Sequence, residues 1–386
     1  MSLGNCGRTF AFATAVISFA CSQAKTTPVR PAEPVGDVST PGTPHVKPVP
    51  PLDLLAPPEA TESLDGKDLK GLEAGTLFAL AREAMAKGDF SRAATFQYWY
   101  VQKAKKGRYD LACFLAQVDQ VDPAFYWLQR AAMEEGVDSR HAQVDADLNS
   151  LRRDQRWEQV RTFLEGMNRY YEEAPIGRVA LILPKGHDKA TPVPVVLWLH
   201  GHGATPEGFV NADAQGFADE LQVALVGVSG TKPRGPDSFV WAEDAARDGR
   251  RLREALAEVG DRVVPKKGCL VTIGFSQGAQ VGLEVAVRAP EDYAGSIVLS
   301  PGARSTLEEI KPMPALKGHV YILGCGEKEH HGNVELTLLD ATYLRFRGAE
   351  TILSIYPNES AHAFPRDFNK RFPEWVKLVL KSRGGS

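Results

Sequence analysis

The sequence has little net charge, few cysteines and no hydrophobic run of membrane-spanning length, and each shortage removes a class of function. Its 45 basic and 48 acidic residues leave a formal charge of −3, too weak a field to recruit a polyanion, so nucleic acid is excluded as a partner. The five cysteines, Cys6, Cys21, Cys113, Cys269 and Cys325, are scattered without the paired spacing of a zinc site or a disulfide framework. Together with the absence of carboxylates at ligand spacing near His200 and His202, this predicts neither a metal nor a cofactor. The apolar run near the N-terminus is about a dozen residues, well short of the ~20 a spanning helix needs. With 43% hydrophobic and 24% charged residues over 386 positions, the composition is that of an ordinary globular protein with room for two folded units and flanking segments.

The first residues have the layout of an export signal: Arg8, an apolar run from Thr9 to Ala20, then small residues before Cys21. Ile17-Ser18-Phe19-Ala20-Cys21 resembles the lipobox of bacterial lipoproteins, with Ser18 where leucine is usual. The resemblance implies a lipoprotein-type signal over residues 1–21, with Cys21 lipidated and anchored to a membrane. The alternative is plain secretion, and both place the mature protein outside the cytoplasm. Residues 22–67 are rich in Pro and Thr, for example Lys47-Pro48-Val49-Pro50-Pro51, and show no apolar periodicity, which predicts an extended linker.

Helical spacing takes over across 68–171. Leu77, Leu80, Ala81 and Ala84 share one face, Lys87-Gly88-Asp89-Phe90 reads as a stop and turn, and a second helix is expected from Ser91 to Lys103. The layout returns at Asp110 to Gln117 and Pro123 to Glu135. A period of roughly 30 to 34 residues with alanines at close approaches resembles tetratricopeptide repeats, and the stretch Asp145 to Trp157 is similar to the end of a bacterial variant of them. The resemblance implies a small all-α domain that engages a protein partner; the alternative is a helical cap on the enzyme. The cluster Phe96, Tyr98, Trp99 and Tyr100 is expected in the core rather than at a ligand.

From 172 to 386 the pattern alternates. Continuous apolar runs at Val179–Leu183, Val193–Leu199, Val223–Val228, Leu270–Ile273, Ala294–Leu299, Val320–Leu323 and Ile352–Tyr356 suit strands buried on both faces, with helices between them. The fold class is α/β with a mostly parallel sheet.

The sharpest motif is Gly274-Phe275-Ser276-Gln277-Gly278-Ala279, a G-x-S-x-G between an apolar strand and a helix-like run from Gln277 to Arg288. In that context the serine sits on a strained elbow, raised above the sheet as a nucleophile. The segment Leu199-His200-Gly201-His202-Gly203 closes the strand Val193–Leu199. The amide of His202, with that of Gln277, is expected to form the oxyanion hole, where one donor contributes roughly 3 to 4 kcal/mol. His362, in Ser360-Ala361-His362-Ala363-Phe364-Pro365, follows the last strand and is the candidate general base; His319, His330 and His331 compete.

These motifs resemble the phospholipase/carboxylesterase family of α/β-hydrolases, which includes acyl-protein thioesterases, over roughly residues 175–381. The resemblance implies an α/β-hydrolase fold and an acid in Gly324-Cys325-Gly326-Glu327-Lys328-Glu329, where the family pattern has aspartate. Counting from Gly326 selects Glu329, the preferred acid; counting from Gly324 selects the alternative, Glu327. Asp244 is expected to cap a helix, Trp241 to line a pocket, and Cys325 to be a small buried residue. The expected function is a serine hydrolase that cleaves small-molecule or polymer esters through an acyl-enzyme. The alternatives are an anchored scaffold protein and a peptidase of the same fold.

Overall fold

The computed structural model describes residues 49–173, 177–209, 213–302, 307, 310–311, 314–357 and 362–382. The export signal, Cys21 and most of the expected linker lie outside the described residues. No helix among the described residues is long and apolar enough to cross a membrane. The chain divides into two compact units, one built around residues 44–174 with 234–237 and one around 175–233 with 238–386.

The first unit opens with a two-residue hairpin, β1 (Ser63–Leu64) and β2 (Lys67–Asp68), followed by helices α1 (Ala74–Ala86), α2 (Phe90–Ala104), α3 (Arg108–Gln117), α4 (Val121–Glu134), α5 (Ser139–Val144), α6 (Asn149–Arg152) and α7 (Trp157–Glu173). Buried alanines set the close spacing of the helices: Ala81 and Ala84 on α1 and Ala93 and Ala94 on α2, then Ala112 and Ala116 on α3 and Ala124 and Ala131 on α4. Phe96, Trp99 and Tyr100 are buried, while Tyr98 is half-buried. The proline-rich approach to this unit is not a free tether over its described part. The amide of Leu52 donates to Gln129 Oε1 at 2.6 Å and the Trp99 indole donates to the Thr61 carbonyl at 2.8 Å. Proline removes backbone donors, so such a segment builds no helix or ladder of its own, and side chains of the helices bond its backbone at Leu52 and Thr61 instead.

The second unit is a seven-stranded sheet with helices on both faces. In chain order the elements after α7 are β3 (Val179–Ile182), β4 (Val193–Leu199), α8 (Ala214–Leu221), β5 (Ala224–Val228), a small β6 (Lys232–Gly235) and β7 (Ser238–Val240) ribbon, α9 (Ala245–Glu258), β8 (Pro265–Phe275), α10 (Gln277–Arg288), β9 (Tyr293–Leu299), β10 (Val320–Gly326), α11 (His331–Phe346), β11 (Glu350–Tyr356) and α12 (Phe368–Lys381). The strand order is β11-β10-β9-β8-β4-β5-β3, parallel throughout except for β3, which runs antiparallel to β5. The fold is α/β with a mostly parallel central sheet, the class the apolar runs predict.

Every residue of β5, β9 and β10 is buried, as expected for strands covered on both sides. One core cluster joins the sheet to Leu252 and Ala255 of α9, Leu283 and Val287 of α10, and Ala341 and Leu344 of α11. The opposite cluster joins it to Ala214 and Ala218 of α8 and Phe372, Trp375 and Val376 of α12. β4 and β8 pair at the centre, Leu199 opposite Gly274, so the loops leaving their C-terminal ends meet above the middle of the sheet. Such crevices outside the carboxyl ends of parallel strands are where open α/β sheets bind ligands.

Candidate active site

Ser276 sits between β8 and α10 with φ 56° and ψ −125°, a conformation L-residues rarely adopt. Its amide donates to the Leu299 carbonyl of β9 at 3.0 Å, which holds the turn down on the sheet. The flanking glycines are required by close backbone approach. A Cβ on Gly274 would lie 2.3 Å from the Gly278 carbonyl oxygen, and one on Gly278 would lie 2.4 Å from the His200 carbonyl oxygen. A serine preceding a helix normally turns its hydroxyl onto the first-turn amides. Ser276 makes no such cap; its Oγ lies 2.8 Å from Nε2 of His362.

His362 is half-buried after β11, its ring centroid 4.8 Å from that of Phe275. Its Nδ1 lies 3.2 Å from Oε2 and 3.3 Å from Oε1 of Glu329. The structure thus brings Ser276, His362 and Glu329 into one chain of contacts. Glu327 is exposed, while Glu329, two residues on, is buried and faces the imidazole. Burial pushes the Glu329 carboxyl up, but donors from His362, the His330 amide and Asn333 outweigh it and hold the group below the ordinary glutamate range. His319 is bound to backbone carbonyls of Leu316 and Pro290, and His330 and His331 are at the start of α11, with His331 beside Glu335. Cys325 is buried, and burial pushes its thiol up, away from thiolate chemistry.

The His200–Gly203 loop lies against the serine: a Cβ on Gly201 would be 3.4 Å from Ser276 Cβ. His202 is exposed in this loop, and Gln277 opens α10, where a helix leaves its first amides without intrahelical partners. His200 is buried and faces inward. Its Nδ1 donates to the Gly201 carbonyl at 2.7 Å and its Nε2 accepts the Gly230 amide at 2.9 Å, which fixes the neutral Nδ1–H tautomer. Burial pushes its pKa down to about 4.

Several contributions were not visible in the sequence pattern. Trp241 does not line a pocket: it is 2% exposed, and its indole donates to the His200 carbonyl at 2.9 Å. The side chain of Gln277 clasps the same loop, Oε1 accepting the Trp241 amide at 3.0 Å and Nε2 donating to Glu243 Oε1 at 2.7 Å. Asp244, expected from the sequence to cap a helix, does cap α9, accepting from the Arg247 amide at 2.7 Å. Gly302, after β9, is pressed so close to the site that a Cβ there would lie 2.9 Å from Ser276 Oγ. Asn333 of α11 reaches Glu329 Oε1 at 3.1 Å. Among the described residues no group of three or more His, Cys, Asp or Glu side chains has the geometry to hold a metal ion.

Chemically, the arrangement offers a hydroxyl hydrogen-bonded to an imidazole whose far nitrogen faces a buried carboxylate, with helix and loop amides beside it. No family model matches the chain, and no curated relative does. Among solved structures, it is similar to an uncharacterized protein from Bacillus cereus ATCC 10987, at 18% identity over 80% of this chain and 99% of that one, with a TM-score of 0.43. It is also similar to the Bacillus cereus carboxylesterase, at 17% identity over 55% of this chain and 99% of that one, with a TM-score of 0.39. A ferulic acid esterase of the anaerobic fungus Anaeromyces mucronatus matches at 15% identity over 53% of this chain and 85% of that one, with a TM-score of 0.41.

Proposed function

We propose that the second unit is a serine esterase that cleaves carboxylic esters in two steps. The observation that carries this reading is the Ser276–His362–Glu329 relay, with 2.8 Å between Oγ and Nε2 and 3.2 Å between Nδ1 and Oε2. His362 takes the Ser276 proton as Oγ attacks the ester carbonyl, and the oxyanion is held by the amides of His202 and Gln277. The tetrahedral species collapses as His362 returns the proton to the leaving alcohol, which leaves an acyl-serine. Water, deprotonated by the same imidazole, then releases the acid and regenerates Ser276. Glu329 keeps the proton on Nδ1, so that Nε2 presents a lone pair to the serine, and stabilises the imidazolium of each step. The residues present perform the whole sequence without a cofactor.

The test is turnover of a short p-nitrophenyl ester together with labelling by a fluorophosphonate. Wild-type protein is expected to do both, and Ser276→Ala to do neither while keeping its circular dichroism spectrum. Hydrolysis retained in Ser276→Ala removes the proposal. The N-terminal residues support a further reading, export with lipidation at Cys21, checked by incorporation of radiolabelled palmitate and its loss in Cys21→Ser.

A further inference from the structure

We propose that Asn333 is a positioning residue that locks the Glu329 carboxylate against His362; the role rests on the esterase reading above. Glutamate has one more rotatable bond than aspartate, so its carboxylate needs more restraint before it can orient an imidazole. Two neighbours, the residue before α11 and one in its first turn, supply it. The His330 amide reaches Glu329 Oε1 at 2.9 Å and Asn333 Nδ2 reaches the same oxygen at 3.1 Å. With two N–H donors holding Oε1, the carboxylate is presented with both oxygens in reach of His362 Nδ1, at 3.2 Å and 3.3 Å.

The backbone of Asn333 is itself tied down. Its amide donates to the His330 carbonyl at 2.9 Å and its carbonyl accepts from Thr337 Oγ1 at 2.7 Å. The orientation of its side chain follows from the charge beside it: turning Oδ1 toward Glu329 would oppose two acceptors, so the amino group faces the carboxylate. That amino group also lies 3.4 Å from His362 Nδ1. An imidazole with a bare Nδ1 would accept from Asn333, carry its proton on Nε2 and be unable to take the proton of Ser276. Asn333 therefore helps only while the Glu329 charge holds the proton on Nδ1, and its contribution acts through that carboxylate.

This dependence is measurable as a double-mutant cycle on kcat and KM for p-nitrophenyl acetate, using wild type, Asn333→Ala, Glu329→Gln and the double variant. Asn333→Ala is expected to lower kcat on the order of tenfold with KM unchanged, the size of one orienting hydrogen bond. In the Glu329→Gln background the same change is expected to cost less than about twofold. Asn333→Leu, which keeps the volume without a donor, is expected to match Asn333→Ala and serves where the alanine variant melts early. Equal losses in both backgrounds, or a kcat within about twofold of wild type for the single variants, overturn the proposal. Fluorophosphonate labelling of wild-type Ser276 separates the two readings. An unlabelled, inactive wild type sinks the esterase reading and this one with it, whereas a labelled, active wild type indifferent to Asn333 sinks this one alone.

Discussion

The indole N–H of Trp241 donates to the carbonyl of His200 at 2.9 Å, joining two loops 41 residues apart. That carbonyl is also the atom a Cβ on Gly278 would strike, so one bond fixes the approach of the His200–Gly203 loop to the serine elbow. Trp241→Phe keeps the ring and leaves the buried carbonyl without its donor. The expected loss is about 1 to 3 kcal/mol of stability, with a lower kcat as the His202 amide drifts. Chemical denaturation and steady-state kinetics on the same preparation check both.

Gly302→Ala is expected to inactivate without unfolding. The new methyl would sit 2.9 Å from Ser276 Oγ and 3.4 Å from His362 Cε1, displacing the two groups that must meet. A misplacement of this kind costs on the order of a hundredfold in kcat. Fluorophosphonate labelling should slow in parallel, while the melting temperature stays near that of wild type.

The two glutamates of the β10–α11 turn are separated by single substitutions. Glu329→Gln places an amide against Nδ1 of His362 and favours the tautomer that cannot accept the serine proton, so kcat is expected to fall on the order of 10³- to 10⁴-fold. Glu327→Gln changes an exposed residue and should leave kcat intact. A larger loss from Glu327→Gln would place the acid in the other register.

Acid stability should report on His200. Its folded pKa is pushed down to about 4 by burial, below the ordinary histidine value. Between about pH 6.5 and 4 the unfolded chain binds a proton that the folded chain does not, so stability declines as pH falls through that window, by up to on the order of 3 kcal/mol. Protonation would also remove the acceptor for the Gly230 amide. A series of melts across this window should show the slope, and His200→Gln should flatten it.

Much of this architecture was legible because strands buried on both faces leave unbroken apolar runs: Val193–Leu199 was bounded to the residue, and Gln277–Arg288 likewise, since the serine elbow marks the helix start. β8 runs longer than its apolar centre because Pro265 pairs with Val193 at the start of β4, ahead of a register shift that resumes at Leu270 opposite Val195, a contact no local pattern encodes. The choice between Glu327 and Glu329 was open in the sequence. It turns on how the chain leaves β10: the Glu329 amide donates back to the Gly326 carbonyl at 3.1 Å, which carries the second glutamate inward. Gly302 and the Gln277 side chain were missed because they act through tertiary contacts, such as the 36-residue separation between Gln277 and Trp241, and periodicity is blind to those. Asn333 lies only four residues from Glu329, but the two meet across the turn into α11, where no helical period relates them. The hairpin β1–β2 and the packed proline-rich segment before it escaped because their contacts have no period at all.

The left-handed backbone of Ser276 carries a cost that the rest of the fold must offset, of about 1 to 3 kcal/mol for a side chain held there. Glycine at this position would lose the hydroxyl but relieve that strain, whereas alanine would lose the hydroxyl and keep it. Ser276→Gly should therefore melt at a higher temperature than Ser276→Ala, both without turnover. Resilience and reactivity are set in opposition at a single backbone position, and an inactive variant of this chain would be its hardier form.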